Sequence, residues 1–330
     1  MKRLLIIGCG DVARRALPAL TARYRVSALV RDKRKAAELA LRGVHAVVGD
    51  LDEVQSLDSL WADENHVPDL VLHSAPPGES ADVDQRTRHL VSAFRERGMV
   101  PQRLVYISTS GVYGDCGGAL VDESRPVNPQ TPRARRRVDA EAVLSDWGRR
   151  HGVAISVLRA PGIYAGDRLP LERIRRGMPA LHAAQDVHTN HIHADDLADI
   201  AAVALEHPHA AGVFNASDDS EMKMGEYLDL VAERHGLPRP ARISRDEAES
   251  RLPEALLSFW RESRRLDNRK LKRELGVSLR FPTVLEGVPF LDSTALDSTA
   301  LESTALNPAV LNPTADGASA SASRTAAQTQ

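Results

Sequence analysis

Short apolar runs separated by amphipathic stretches recur along most of the chain. Leu4–Ile7, Arg25–Val30, Val44–Val48, Asp69–His73, Leu104–Ser108 and Val153–Leu158 are rich in aliphatic, β-branched and aromatic side chains. Runs this short, without polar alternation and bounded by glycine, proline or polar clusters, read as strands covered on both faces. Between them Val12, Ala16, Leu17 and Leu20 recur at helical spacing, and Val54–Leu60, Arg86–Arg97 and Arg133–Leu144 read as further helices. Strands alternating with helices predict an α/β fold with a doubly wound parallel sheet.

The pattern changes after residue 166. Residues 167–187 are irregular and basic. Asn190–His193 reads as a strand returning to the sheet, and Asp195 and Asp196 as caps of a helix running to Leu205. Gly212–Ser217 is another short strand, Met224–Arg234 an amphipathic helix, and Glu247–Trp260 further helix. The expected organisation is a larger domain at 1–166, to which 188–217 return, and a smaller C-terminal lobe from 167–187 and 218–290. From Leu291 the chain stutters through L-D-S-T-A, L-D-S-T-A, L-E-S-T-A, L-N-P-A-V and L-N-P-T-A. A period of five fits neither helix nor strand, and no aromatic follows Phe290, so 291–330 is expected to be a low-complexity disordered tail.

Composition narrows the class. With 42% hydrophobic and 27% charged residues the chain can bury a large core. A formal charge of −2 gives no reason to expect nucleic acid or an anionic membrane as partner. Cys9 and Cys116 have no metal-ligand spacing and fit a reducing compartment. The first apolar run stops at Gly8, too short for a leader or a span, so a cytoplasmic protein is expected. His191 and His193 alternate on a predicted strand with no thiolate or helical H-x-x-x-H pair, and no metal is expected.

Candidate chemistry begins at Gly8-Cys-Gly10-Asp11-Val12-Ala13, a G-x-G-x-x-A turn between the first strand and its helix. There the first glycine turns the chain, the second lets backbone approach a pyrophosphate, and the helix amino end faces that anion. The sheet is therefore expected to be of Rossmann type, with 1–166 a dinucleotide-binding domain and the C-terminal lobe at 167–187 and 218–290 a substrate lobe. Strand two ends at Val30, and the next residue commonly selects the cofactor. Arg31, with Lys33 and Arg34 beyond it, favours the 2′-phosphate of NADP, while Asp32 leaves NAD open.

Leu104–Ser108 runs into Thr109-Ser-Gly-Val-Tyr113-Gly-Asp115, then an acidic pair at Asp122 and Glu123, three prolines, and a helix carrying Ala140-Glu141. This succession resembles the extended short-chain dehydrogenase/reductase family, also called the epimerase/dehydratase family, over roughly residues 2–288. The resemblance implies a substrate-side hydroxyl at Thr109 and a Tyr-x-x-x-Lys pair on the helix. Counting back from Glu141, those places hold Arg133 and Arg137. A guanidinium is not a general acid or base near neutrality, so the usual proton donor is missing. Arg137 keeps the family lysine's capacity to hydrogen-bond a ribose, and Tyr113 and Tyr164, flanking the crevice, with Thr109 or a bound water as relay, are the candidates to replace the missing donor. The resemblance further assigns Asp50 and Leu51 to the adenine side, and Ser74, Ala75 and Pro76 to the cofactor backbone. Pro161 and Ile163, within Arg159-Ala-Pro-Gly-Ile-Tyr164, go to the nicotinamide end. It also implies a small-molecule substrate and a homodimer through helices at 84–98 and 133–150.

Three functions compete. One is an NAD(P)-dependent oxidoreductase or epimerase acting on a sugar-like or carbonyl compound with an atypical active site. Another is an NADP-binding sensor or regulator with little or no catalysis. The third is a structural role on an inherited scaffold, since fold does not imply function.

Overall fold

Seven of the apolar runs hydrogen-bond into one sheet: β1 (Arg3–Ile7), β2 (Arg25–Val30), β3 (His45–Val48), β4 (Leu70–His73), β5 (Arg103–Thr109), β6 (Ala154–Ala160) and β7 (Gly212–Asn215). The computed structural model describes residues 1–61, 67–79, 82–252, 257 and 260–291. The spatial order is β7-β6-β5-β4-β1-β2-β3, and every neighbouring pair is parallel. Along β1 the pleat sends Leu4 and Ile6 into one core and Leu5 and Ile7 into the other. The first core is covered by α1 (Asp11–Thr21) and α6 (Ala194–Glu206), the second by α3 (Gln85–Glu96) and α4 (Pro132–His151). Between these in sequence lie α2 (Lys33–Ala40) and the short α5 (Leu171–Arg175). This is the doubly wound Rossmann arrangement, and strand order reverses between β1 and β4. Ligands bind such sheets in the crevice beyond the carboxyl ends at that reversal.

Both candidate arginines, Arg133 and Arg137, lie on α4. Thr131 caps this helix by accepting from the Ala134 amide at 3.2 Å, Pro132 occupies the first turn, and Gly152 at φ +71° ends it. Ala140, Leu144 and Trp147 face the sheet, and Trp147 stacks on Phe94 of α3 with ring centroids 5.5 Å apart. The stack contributes about 0.5–1.5 kcal/mol beyond the area it buries. α1 continues past Pro18 to Thr21.

Three expectations change. His191–His193 does not join the large sheet but pairs in parallel with Gly162–Tyr164 as a separate two-stranded ribbon. Pro161, with no N–H to donate, ends β6 and sends the chain out of the sheet. The cap of α6 is His193, whose Nδ1 accepts from the Asp195 amide at 3.2 Å. Asp196 instead accepts from the Arg280 and Phe281 amides at 2.7 and 3.0 Å, tying the C-terminal segment to α6. Residues Met1–Phe290 form one compact unit.

Of the expected helix over 247–260 the part to Arg251 is seen, in Arg245–Arg251, while residues 253–256 and 258–259 and the expected tail beyond Leu291 lie outside the described residues. Among the described residues no helix is long and apolar enough to cross a membrane.

Candidate functional site

The two glycines of the first turn have different jobs. Gly8 sits at φ +79°, and a Cβ there would lie 2.7 Å from Ala75 Cα. The chain leaving β4 is held against it: the Ser74 and Ala75 amides both donate to Ile7 O at 2.9 Å, and Ser74 Oγ donates to Gly8 O. Gly10 is the cap residue of α1 with an extended backbone (φ −81°, ψ −163°), and a Cβ there would meet nothing within 4 Å. The second glycine thus faces open space at a helix amino end, the geometry that receives a phosphate. Beside it, burial pushes the Cys9 thiol up to about 11, which keeps it protonated.

A cleft of about 850 Å³ opens from this turn over the ends of β1, β2 and β4. Gly8, Gly10, Arg31, Asp50, Leu51, Ser74, Ala75 and Pro76 all line it. So do Lys33, Arg34, Lys35 and Arg86, which makes this end cationic in a chain whose overall charge is near zero. Asp32 also lines the cleft, but its carboxylate accepts from the Arg34 amide at 2.7 Å and caps α2. Arg31 Nη1 stands 3.9 Å from Asp50. Arg86 is held by Asp52 at 2.8 Å and by Pro76 O at 3.1 Å.

Gly10 and Ser74 also border a second cavity of about 240 Å³, lined by Asp11, Val12, Thr109, Arg133, Arg137, Pro161, Ile163 and Arg168 among others. Every residue assigned above to the cofactor therefore lies on one of these two connected surfaces. Thr109 Oγ1 accepts from the Gly111 amide at 3.2 Å. Arg137 Nη1 donates to Tyr106 Oη and to Ile107 O, both at 2.8 Å, so this guanidinium is pinned to the end of β5. Arg133, one helical turn earlier, stands in the cavity wall. Desolvation there, then the Arg137 charge, lowers its pKa from the ordinary arginine value. Asp11 bonds Arg168 at 2.7 Å and Arg15 at 3.2 Å; burial opposes ionisation, but the two arginines outweigh it and hold the carboxyl below its usual range.

Tyr113 is not brought to the cleft. It is 1% exposed, its hydroxyl donates to Asn215 Oδ1 at 2.8 Å, and the Arg159 guanidinium covers its ring at 4.7 Å. The short helix at Ser110–Tyr113 turns the ring inward, behind the strand end. His73 is likewise a packing residue, fully buried on Thr87 Oγ1 at 2.9 Å, with burial lowering its pKa to about 3.

A third cavity of about 520 Å³ shares Thr109, Arg133, Pro161, Ile163 and Arg168 with the second. His191 and Tyr227 form part of its wall, their rings 4.1 Å apart. Burial brings His191 to about 3, so it is neutral. Arg173 lies over the Trp260 ring at 5.5 Å, and Arg264 bonds Gly114 O at 2.7 Å and Glu262 at 2.8 Å. Sequence reading missed Tyr227, Glu262 and Arg264 as site residues. Tyr227 lies on the helix Met224–Arg234 and Glu262 and Arg264 on one later loop, and no local motif marks them. Among the described residues no group of three or more His, Cys, Asp or Glu side chains is placed to hold a metal ion.

Behind this wall Asp218 is 4% exposed; Oδ1 accepts from the Ser220 amide at 3.0 Å and Oδ2 has no partner. Burial, aided by Asp219 and Asp196, raises its pKa to about 7. An unfolded aspartate titrates near 3.9, so between about pH 4 and 7 the folded chain binds the extra proton and stability falls as pH rises. Asp218→Asn is expected to flatten that slope and to raise stability at pH 8 by about 2–4 kcal/mol, the cost of ionising a buried carboxyl at that pH. Urea denaturation from pH 4.5 to 8 measures it; identical slopes in both proteins would rule the linkage out.

Comparison with known proteins fits this geometry. The NAD dependent epimerase/dehydratase family model matches residues 4–217. A dTDP-D-glucose 4,6-dehydratase from Mus musculus is 24% identical over 159 residues, 44% of each chain. A dTDP-glucose 4,6-dehydratase from Mycolicibacterium smegmatis is 27% identical over 143 residues, 41% of this chain and 39% of that one. The chain thus spans less than half the length of these relatives. A functionally unknown conserved protein from Silicibacter pomeroyi superposes with TM-score 0.73 at 27% identity, over 91% of this chain and 99% of that one. The UDP-glucose 4-epimerase of Thermus thermophilus, solved with NAD, gives TM-score 0.67 at 23% identity over 86% and 96%.

Proposed function

The chain belongs to the NAD-dependent epimerase/dehydratase family, and on that premise we propose that it is an NADP-dependent oxidoreductase or epimerase-like enzyme for a sugar-like or carbonyl small molecule. The observation that carries this reading is the continuity of the cleft, from the basic pocket at Arg31, past the open face of Gly10, to Thr109 and Arg133. A dinucleotide fits this chain's residues. The amides of the first turn of α1 would take the pyrophosphate, and Arg31 with its neighbouring cations a 2′-phosphate. Arg137, fixed on β5, would face the nicotinamide ribose, and Pro161 and Ile163 would bound the ring. Bound there, the cofactor would supply or accept a hydride. Thr109 would orient the substrate oxygen, Arg133 would stabilise negative charge on it without giving up a proton, and the proton gained or lost by that oxygen would be exchanged with solvent water. Binding without turnover is the second reading, favoured by the burial of Tyr113 and the arginine at residue 133.

The preference for NADP over NAD is the sharper test. The Asp32 carboxylate is engaged in capping α2, whereas Arg31 is two-thirds exposed at the pocket edge. A charge-assisted hydrogen bond contributes about 1.5–3 kcal/mol, so calorimetry is expected to give NADPH about 10–100-fold tighter than NADH. Arg31→Asp should remove most of that ratio. Absence of binding by either dinucleotide would sink the proposal, and an unchanged ratio in the variant would clear Arg31 of the role.

A further inference from the structure

We infer that Arg168 is a cofactor-binding residue: held by Asp11 at the amino end of α1, its guanidinium completes the site for the pyrophosphate of the dinucleotide. The inference rests on the reading that this cleft takes the dinucleotide, and it adds to the glycine turn a residue 157 positions further along the chain.

Asp11 sets the problem. It is the first residue of α1, directly after Gly10, so its carboxylate stands at the helix end that would receive the phosphates. The helix dipole favours a negative charge there, but a carboxylate and a pyrophosphate at one helix end repel each other unless cations lie between them. Two arginines meet this carboxylate. Arg15, one turn along α1, reaches both Asp11 oxygens at 3.2 Å, and also Asp195 at 2.9 Å and Asp167 at 2.6 Å. Its single charge is therefore shared among three carboxylates. Arg168 comes from outside the helix, from the short turn Gly166–Arg168 that follows Gly162–Tyr164, and its Nη1 donates to Asp11 at 2.7 Å.

Arg168 keeps donors in hand. A guanidinium carries five N–H groups, and among the described residues the bond to Asp11 is the only side-chain hydrogen bond Arg168 makes. Its side chain is still 36% exposed. It lines the cavity of about 240 Å³ together with Gly10, Asp11, Val12 and Ala13, the residues of the turn and the start of α1. The other arginines of that cavity, Arg133 and Arg137, come from α4. Arg137 spends Nη1 on Tyr106 and Ile107 at the end of β5, whereas Arg168 is bonded to α1 itself. Asp11 thus acts as a counter-ion that holds a guanidinium beside the phosphate-receiving turn. The planar fork suits a phosphate, which it grips through two parallel hydrogen bonds.

The test is calorimetry on the full chain with NADPH and with adenosine 2′-monophosphate, which ends before the pyrophosphate. Arg168→Gln is expected to weaken NADPH binding by about ten- to a hundredfold, the effect of one charge-assisted hydrogen bond, and Arg168→Lys by less. The monophosphate should change by less than about threefold in both. A tether that only offsets Asp11 is distinguished in a second background. Asp11→Asn removes the charge to be offset, and adding Arg168→Gln to it should again weaken NADPH by about tenfold or more. The inference is overturned if that second loss disappears, if Arg168→Gln alone costs NADPH less than about threefold, or if the monophosphate is lost in step with NADPH. Failure of the unmodified chain to bind either NADPH or NADH would remove the cofactor reading, and this inference with it; binding that is indifferent to Arg168 removes the inference alone.

Discussion

Replacing Gly10 by valine is expected to abolish dinucleotide binding while leaving the fold intact. The backbone at Gly10 is extended, so an L-residue adopts it without strain, and an added Cβ meets nothing within 4 Å. Nor does the substitution remove a cap, because no side chain caps α1. A branched side chain would instead project over the helix amino end, where two phosphates would lie. Losing even two charge-assisted hydrogen bonds of about 1.5–3 kcal/mol each amounts to at least about 100-fold in affinity. The melting temperature should move by no more than about 3 °C, as for a surface change within about 0.5 kcal/mol. Gly8→Ala is the contrast. There the backbone is left-handed and Ala75 fills the space, so stability itself should fall. Fluorescence titration with NADPH beside a thermal melt separates the two. Unimpaired binding by the Gly10→Val protein would mean that the phosphates do not lie on this turn.

Much of this site was legible because it is built from local grammar. The Gly8–Ala13 turn, the basic step after β2 and the loop at Ser74–Pro76 each come directly after a strand end, and parallel topology brings strand ends together. The sites of Arg133 and Arg137 could be counted from Glu141 because helical spacing of four keeps them on one face. What local grammar does not determine is rotation within a turn and contact between distant segments. Tyr113 sits four residues beyond Thr109, yet the intervening helical turn sends it to Asn215, more than a hundred residues away. Asp196 looked like a cap and is a tether for Arg280 and Phe281, and the histidine ahead of it caps instead. The third cavity was least legible. Its cations at 173 and 264 are brought together only by the packing of the C-terminal segments.

Packing also makes Glu141 a sensitive position in the core. Its carboxylate bonds Arg159 on β6 at 2.7 Å and Ser108 on β5 at 2.5 Å, and the carboxylate and guanidinium are both more than nine-tenths buried. Arg159 in turn covers the Tyr113 ring and has Nη1 without a partner. Removing the carboxylate strands a guanidinium in the interior, which costs about 3–5 kcal/mol, against about 5–15 kcal/mol for the stability of a whole domain. Glu141→Ala is therefore expected to lower the urea midpoint by roughly a third or more, the slope unchanged. Replacing both partners by apolar residues, as in Glu141→Leu with Arg159→Met, removes the buried charge along with its partner. It should recover most of the loss, since buried ion pairs contribute little against well-packed hydrophobic groups. The function should not recover to the same degree. Glu141 lies one turn beyond Arg137 and two beyond Arg133, and its bonds to both strands fix the rotation and height of α4 on the sheet. The double variant is expected to fold with near-native stability yet bind NADPH about tenfold more weakly, the effect of misplacing one charged contact. If the single variant loses less than about 1 kcal/mol, the ion pair is not what holds α4, and the arginines must be positioned by the apolar face of Leu144 and Trp147 alone.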